Sequence, residues 1–181
     1  PASAKAEVTA MTATLAHRGP DDEGVWIDTD LGVGLGHRRL SIIDLSPAGA
    51  QPMVSPSGRY VITFNGEIYN REALKSDLES TGVTYRGTSD TEVFLCHIDQ
   101  FGLARALDRA FGMFALGLID RQSRRLILVR DRVGEKPLYY SRSDNSFLFG
   151  SELKALRALK RCPRSVDRES FANFIRYGFI T

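Results

Sequence analysis

Apolar and polar positions alternate in two different rhythms along this chain, and the switch between them predicts where helices and strands fall. Over Ser3 to Leu15 the residues Val8, Met11 and Leu15 share one face at helical spacing, in a stretch rich in Ala, Glu, Met and Leu, which predicts an opening helix. HRGPDDEG then breaks it, and short strands are expected around Gly24 to Ile27, Leu31 to Arg38 and Arg59 to Phe64, separated by SPAGAQP and SPSG. Helical spacing returns after Asn70, a plausible N-cap, with Leu74 and Leu78 on one face and a stop at Gly82. Ser89 and Glu92 have capping-box spacing ahead of VFLCHI, so a further helix is expected from Ser89 to about Gly102, followed by a shorter one over Leu103 to Arg109.

The third quarter changes character. GMFALGLID, RLILVRD, PLYYSR and SFLFGS are strand-like runs joined by polar turns, which predicts an antiparallel meander rather than the alternating strand and helix units of a doubly wound sheet. Past Ser151 the chain reads as helix through Leu159, then as the basic stretch KRCPR, then as a helix from near Asp167 with Phe171, Phe174, Ile175 and Tyr177. Apolar residues persist to the last positions, so residues 1–159 are read as one domain and residues 160–181 as a linker with the opening helix of a second domain.

Composition then narrows the chemistry. With 181 residues and 43% hydrophobic content the chain can bury one substantial core. Its 24 Lys and Arg against 22 Asp and Glu give no long-range pull toward nucleic acid or lipid headgroups, so a small molecule or a protein is the expected partner. Two cysteines, Cys96 and Cys162, do not make a disulfide framework, and no apolar run approaches the roughly 20 residues of a membrane span; the cytoplasm is the default compartment. His17, His37 and His97 are too scattered for a zinc pattern, and neither a dinucleotide fingerprint nor a phosphate loop occurs, so neither a metal nor ATP is expected here.

The run FNGEIYN, residues 64–70, offers the sharpest chemistry. A carboxamide, a glycine amide and a carboxylate side by side suit a small polar ligand, while Asn-Gly is also a common hairpin signal. From the residues alone both readings stay open.

Seven motifs together carry a resemblance: HRGPDDEG, GHRRLSIIDLSPAGAQPM, FNGEIYN, TSDTE, FGMFALGLID, RDRVGEKPLYY and SELKAL, in this order from His17 onward. The chain resembles the glutaminase domain of glutamine-dependent asparagine synthetases, a class II glutamine amidotransferase. That resemblance implies an α+β fold, a four-layer αββα sandwich of two antiparallel sheets of the N-terminal-nucleophile hydrolase type. It also implies release of ammonia from glutamine for an ATP- and magnesium-using synthetase domain that amidates aspartate. By the same resemblance Asn65 and Gly66 form the oxyanion hole, Arg39 grips the substrate carboxylate, Leu40, Ile42 and Ile43 shape the wall, and Glu67 and Asp90 accept the substrate ammonium. A guanidinium fork suits a carboxylate better than a lysine point charge, whereas an acid such as Asp90 at a helix start is favoured by the dipole whatever its role.

The chain departs from the family pattern at its start. It begins PASAKAEV, where relatives of this type carry a cysteine nucleophile whose α-amine serves as base. Neither Cys96, in an apolar run, nor Cys162, before Pro163, has a free amine beside it, so the chain as given is expected not to turn over glutamine. A strand bearing the cysteine is expected within some ten to twenty residues upstream, by the size of one strand and its turn. Without that strand, open edges favour self-association, with aggregation or a homodimer as the expected forms. Two alternatives stand beside this reading: a catalytically dead glutamine-binding module, and a purely structural one.

Overall fold

The computed structural model describes residues 2–40, 46–143 and 145–179. Helix α1 (Ala2–Ala13) is followed by the hairpin of β1 (Asp22–Asp28) and β2 (Val33–Arg39). A second sheet has the order β3-β4-β5-β6, built from β3 (Met53–Val54), β4 (Tyr60–Ile68), β5 (Gly112–Asp120) and β6 (Arg125–Arg130), all antiparallel. Between β4 and β5 the chain makes α2 (Arg71–Leu78), α3 (Asp90–Phe101) and α4 (Leu103–Arg109). The hairpin of β7 (Tyr139–Ser143) and β8 (Ser146–Gly150) leads to α5 (Leu153–Arg157) and α6 (Arg168–Tyr177).

The layers follow from residue alternation on β4. Tyr60, Ile62, Phe64 and Ile68 face one way and join Phe94, Leu95, Ile98, Leu74 and Leu78 of α2 and α3 in the main core. Phe64, Phe94 and Phe114 meet there with ring centroids 5.9 to 6.1 Å apart. Val61 faces the other way and packs with Leu35 of β2 and Ile119 of β5. Helix α1 lies outside the β1-β2 hairpin, approaching so closely that a Cβ on Gly36 would stand 2.0 Å from Thr12 Oγ1. Leu148, Ala155, Leu156, Leu159 and Cys162 form a smaller cluster with Met11 and Leu15.

The architecture is therefore αββα, as the resemblance implies. The layer opposite the four-stranded sheet, however, is not one continuous sheet among the described residues: β1-β2 and β7-β8 are separate hairpins. A groove of about 740 Å³ runs between β2 and β8, floored by β4, β5 and β6 and lined by α1.

Several local expectations need correction. Strand β4 does not stop at Phe64 but continues to Ile68, so Asn65, Gly66 and Glu67 pair with Ala115, Phe114 and Met113; Asn65-Gly66 does not turn, and the chain turns only at Tyr69 and Asn70. Cross-strand pairing on β5 wins over the local Asn-Gly turn preference. Asn70 precedes α2 but its side chain does not cap it: Nδ2 donates to Arg109 O at 2.8 Å and Oδ1 accepts from Phe111 N at 2.8 Å, tying the start of α2 to the link between α4 and β5. Ser89 does cap α3, accepting from Glu92 N at 3.1 Å, while Glu92 accepts from Arg86 and Gly87 amides instead of closing a reciprocal box.

The loop between β6 and β7 is organised around one buried carboxylate. Asp131 accepts from the amides of Phe114, Val133, Glu135 and Lys136 at 2.9 to 3.2 Å, and Arg130 donates to Gly134 O and Lys136 O. Burial raises the Asp131 pKa, but those amides outweigh it and hold the carboxyl down at about 2. A depressed folded pKa stabilises above the unfolded value near 4 and is lost as pH falls toward 2. Asp131→Asn is expected to lower Tm at pH 7 by about 4–8 °C and to flatten the loss of stability between pH 4 and 2, measured by calorimetry at several pH values.

Candidate functional site

A cleft of about 260 Å³ opens at the far end of β4, where β3 has ended. Its position follows from edge chemistry. Even-numbered residues of β4 turn their backbone groups away from β5, toward the β3 side. β3 covers only Val61 and Ile62. Beyond it Gln51 takes over, its Oε1 accepting from Phe64 N at 2.7 Å and its Nε2 donating to Phe64 O at 3.3 Å. Two residues further, Ile68 N donates to Asp90 Oδ2 at 2.8 Å. Gly66 lies between them on the same edge, so the alternation directs its N–H into the cleft it lines. A Cβ on Gly66 would stand 2.1 Å from Met113 O, so β4 and β5 meet at this closeness only with glycine there.

Odd-numbered residues supply the side chains. Thr63, Asn65 and Glu67 project toward the β1-β2 hairpin, and Asn65 and Glu67 line the cleft. Asn65 Nδ2 is buried and among the described residues has no hydrogen-bond partner, a costly arrangement for an amide donor. From β2, His37 and Arg39 alternate in the same way as Leu35 and so face β4. Arg39 donates to Ser46 O at 2.9 Å and borders the cleft with Leu40, which is 55% exposed. Asp90 is 6% exposed at the first turn of α3; its Oδ1 accepts from Thr91 N at 2.8 Å, so each carboxylate oxygen holds one backbone amide and keeps further acceptor capacity.

Thus Arg39, Leu40, Asn65, Gly66, Glu67 and Asp90, expected from sequence to share a site, border one cleft. Ile42 and Ile43 lie outside the described residues. Sequence reasoning missed His37, Gln51 and Lys136, which also line the cleft. His37 stands two residues before Arg39 in a strand, and that spacing could have placed both on one face. Lys136 is brought in by the Asp131-centred loop, for which the sequence carried no comparable signal. His37 is pushed down to about 4, first by burial and then by the Arg39 charge, against a smaller opposing effect of Asp22, so it is neutral near pH 7.

The cysteines sit elsewhere. Cys96 is in the main core on α3, where burial pushes its thiol up to about 11; Cys162 is buried against Leu159 and Leu148. Neither lines the cleft. Among the described residues no group of three or more His, Cys, Asp or Glu is placed to hold a metal ion, and no helix is long and apolar enough to cross a membrane.

The structure is that of an αββα sandwich domain with a polar cleft at one strand edge, and the comparisons with known proteins give its family. The chain belongs to the glutamine amidotransferase domain family, whose sequence signature matches residues 1–181. It is 38% identical over 176 residues to asparagine synthetase [glutamine-hydrolyzing] 3 of Bacillus subtilis strain 168, covering 96% of this chain and 28% of that protein. It is 39% identical over 169 residues to amidase chry2 of Gibberella zeae, covering 91% of this chain and 25% of that protein. The chain thus spans about a quarter of the length of these relatives. Among solved structures, glutamine phosphoribosylpyrophosphate amidotransferase from B. subtilis superposes with a TM-score of 0.70, covering 85% of this chain and 40% of that one. At 20% identity that likeness is one of fold.

Because Asn65 Nδ2 finds no partner among the described residues, Asn65→Leu removes a buried donor at no loss of a hydrogen bond there. Thermal melts are expected to show Tm unchanged or raised, whereas substitution of a merely structural asparagine would lower it.

Proposed function

We propose that this domain binds L-glutamine in the cleft and hydrolyses its side-chain amide, delivering ammonia to an ATP-dependent synthetase domain of the same protein that amidates aspartate. The observation that carries this reading is the buried Asn65 Nδ2, without a partner among the described residues, beside the cleft-facing Gly66 amide. Two fixed donors aimed at one place suit negative charge that appears only as an amide carbonyl becomes tetrahedral. Arg39 offers a bidentate fork to the α-carboxylate, and Glu67 and Asp90 offer acceptors to the α-ammonium. Leu40 borders the cleft as an apolar part of its wall.

Hydrolysis also needs a nucleophile, and the burial of Cys96 and Cys162 away from the cleft leaves neither able to reach the substrate. This reading places the thiol on a residue preceding Pro1, on an extended segment laid in the groove between β2 and β8, which meets the cleft at Asn65. Its α-amine, with an ordinary pKa near 7.7 to 8.0, would take the thiol proton and return it to the departing ammonia. The 181 residues alone would then bind glutamine without turnover. No cofactor acts in this domain; ATP and magnesium belong to the synthetase domain, and the cytoplasm suits a protein whose two cysteines are unpaired. Aspartate is favoured as acceptor because several relatives in this similarity range are asparagine synthetases, from bacteria and plants.

Glutamate release by the full-length protein, expressed from its own initiator, tests the proposal. Asn65→Ala is expected to lower kcat by about 10²–10³ with little change in KM. Arg39→Lys is expected to raise KM about tenfold with kcat nearly kept, because the lost fork is made equally in ground and transition states. Calorimetric titration showing no glutamine binding to wild type would sink the reading. Binding without turnover in the full-length protein would leave a glutamine-binding module instead.

A further inference from the structure

His37 has a chemical position that the glutamine reading does not use. It is among the residues that line both the cleft and the groove, with Asn65. A short chain of hydrogen bonds selects a tautomer: when the Thr63 hydroxyl donates to Gly36 O, 3.3 Å away, Thr63 Oγ1, 3.2 Å from His37 Nδ1, accepts the Nδ1 proton. Nε2 is then left with a bare lone pair, and it is not among the buried side-chain atoms without a partner. The face alternation puts Thr63 and Asn65 on the same side of β4, roughly 7 Å apart along the strand. An imidazole acceptor and a carboxamide donor therefore stand side by side where the two cavities join.

We propose that His37 Nε2 accepts a hydrogen bond from the side-chain amide nitrogen of bound glutamine while Asn65 and Gly66 take the amide oxygen. The inference rests on the proposed glutamine site and deepens it. A lone acceptor beside paired donors reads the two ends of a carboxamide. It matches the N–H of glutamine and repels the δ-carboxylate of glutamate, which has no hydrogen to give. His37 is thus a specificity-determining residue: it orients the amide and favours departure of the product acid. The environment supports this role, because burial and Arg39 keep the ring neutral near pH 7, and a protonated ring would attract glutamate instead. Asp22, paired with Arg39 across the β1-β2 hairpin, is the acid whose charge opposes that effect.

Equilibrium titration of the full-length protein with L-glutamine and L-glutamate at pH 7.5 tests the inference, with thermal melts as a folding control. Wild type is expected to prefer glutamine. His37→Phe is expected to lose at least about fivefold of that preference, through weaker glutamine and relatively stronger glutamate binding. His37→Gln, which keeps a side-chain acceptor, is expected to recover part of it. If wild type binds glutamine and folded His37→Phe keeps the full preference, the inference falls while the glutamine site stands. If turnover drops with the preference unchanged, His37 serves the nucleophile segment and the inference falls equally. Wild type that binds neither amino acid overturns both.

Discussion

The pairing of β4 with β5, carried past the point where β3 ends, is the constraint on which the rest of this structure depends. Nine residues of β4 are held in register by β5, while its other edge is covered by a two-residue strand alone. The open edge leaves backbone amides that must find partners, since unpaired buried N–H groups are costly. Gln51 answers for Phe64 and Asp90 for Ile68. Gly66, between them, faces the cleft. A cleft arises here because the ladder is incomplete, and the donors that line it are rigid because the opposite edge is complete.

The same strand separates two functions by parity. Even positions bury Ile62 and Phe64 among the helices and so fix the strand in depth. Odd positions present Thr63, Asn65 and Glu67 to the β1-β2 hairpin, where His37 and Arg39 come from the facing strand with the same period. A one-residue slip of β4 would exchange the two sets and destroy core and cleft together. Gly66 is part of that register, because only a residue without Cβ lets β5 lie so close.

Around this frame the charges are held by backbone as much as by countercharge. Asp131 is kept ionised by loop amides, and Asp90 rests on two amides from different elements. Asp120 is drawn far below the usual carboxylate range by the two-pronged Arg59 contact, which outweighs its burial. Fixed amides do not relax when a ligand arrives, so carboxylates held this way stay in place. The cleft itself carries more cationic than anionic side chains, with Arg18, Arg38, Arg39 and Lys136 set against Glu67 and Asp90. That balance suits a ligand with a carboxylate and a developing oxyanion.

Local patterning in the sequence determined the identity and order of the elements: apolar spacing placed α1 to α4, Ser89 marked the start of α3, and polar turns separated β5 to β8. Motif order was enough to bring Arg39, Asn65, Gly66, Glu67 and Asp90 into one expected site. Only the tertiary structure decided that FNGEI, residues 64–68, is a paired strand, because its alternative, a hairpin turn at Asn-Gly, has the same local preference and cross-strand pairing is invisible in a single segment. Only it brought His37 beside Asn65 and swung Lys136 into the cleft, since those placements depend on which edge of β4 lies open and on a loop wound about Asp131. Short-range preferences fix what each segment can become; long-range pairing, which costs chain entropy and is repaid only when many contacts form at once, selects which side chains meet.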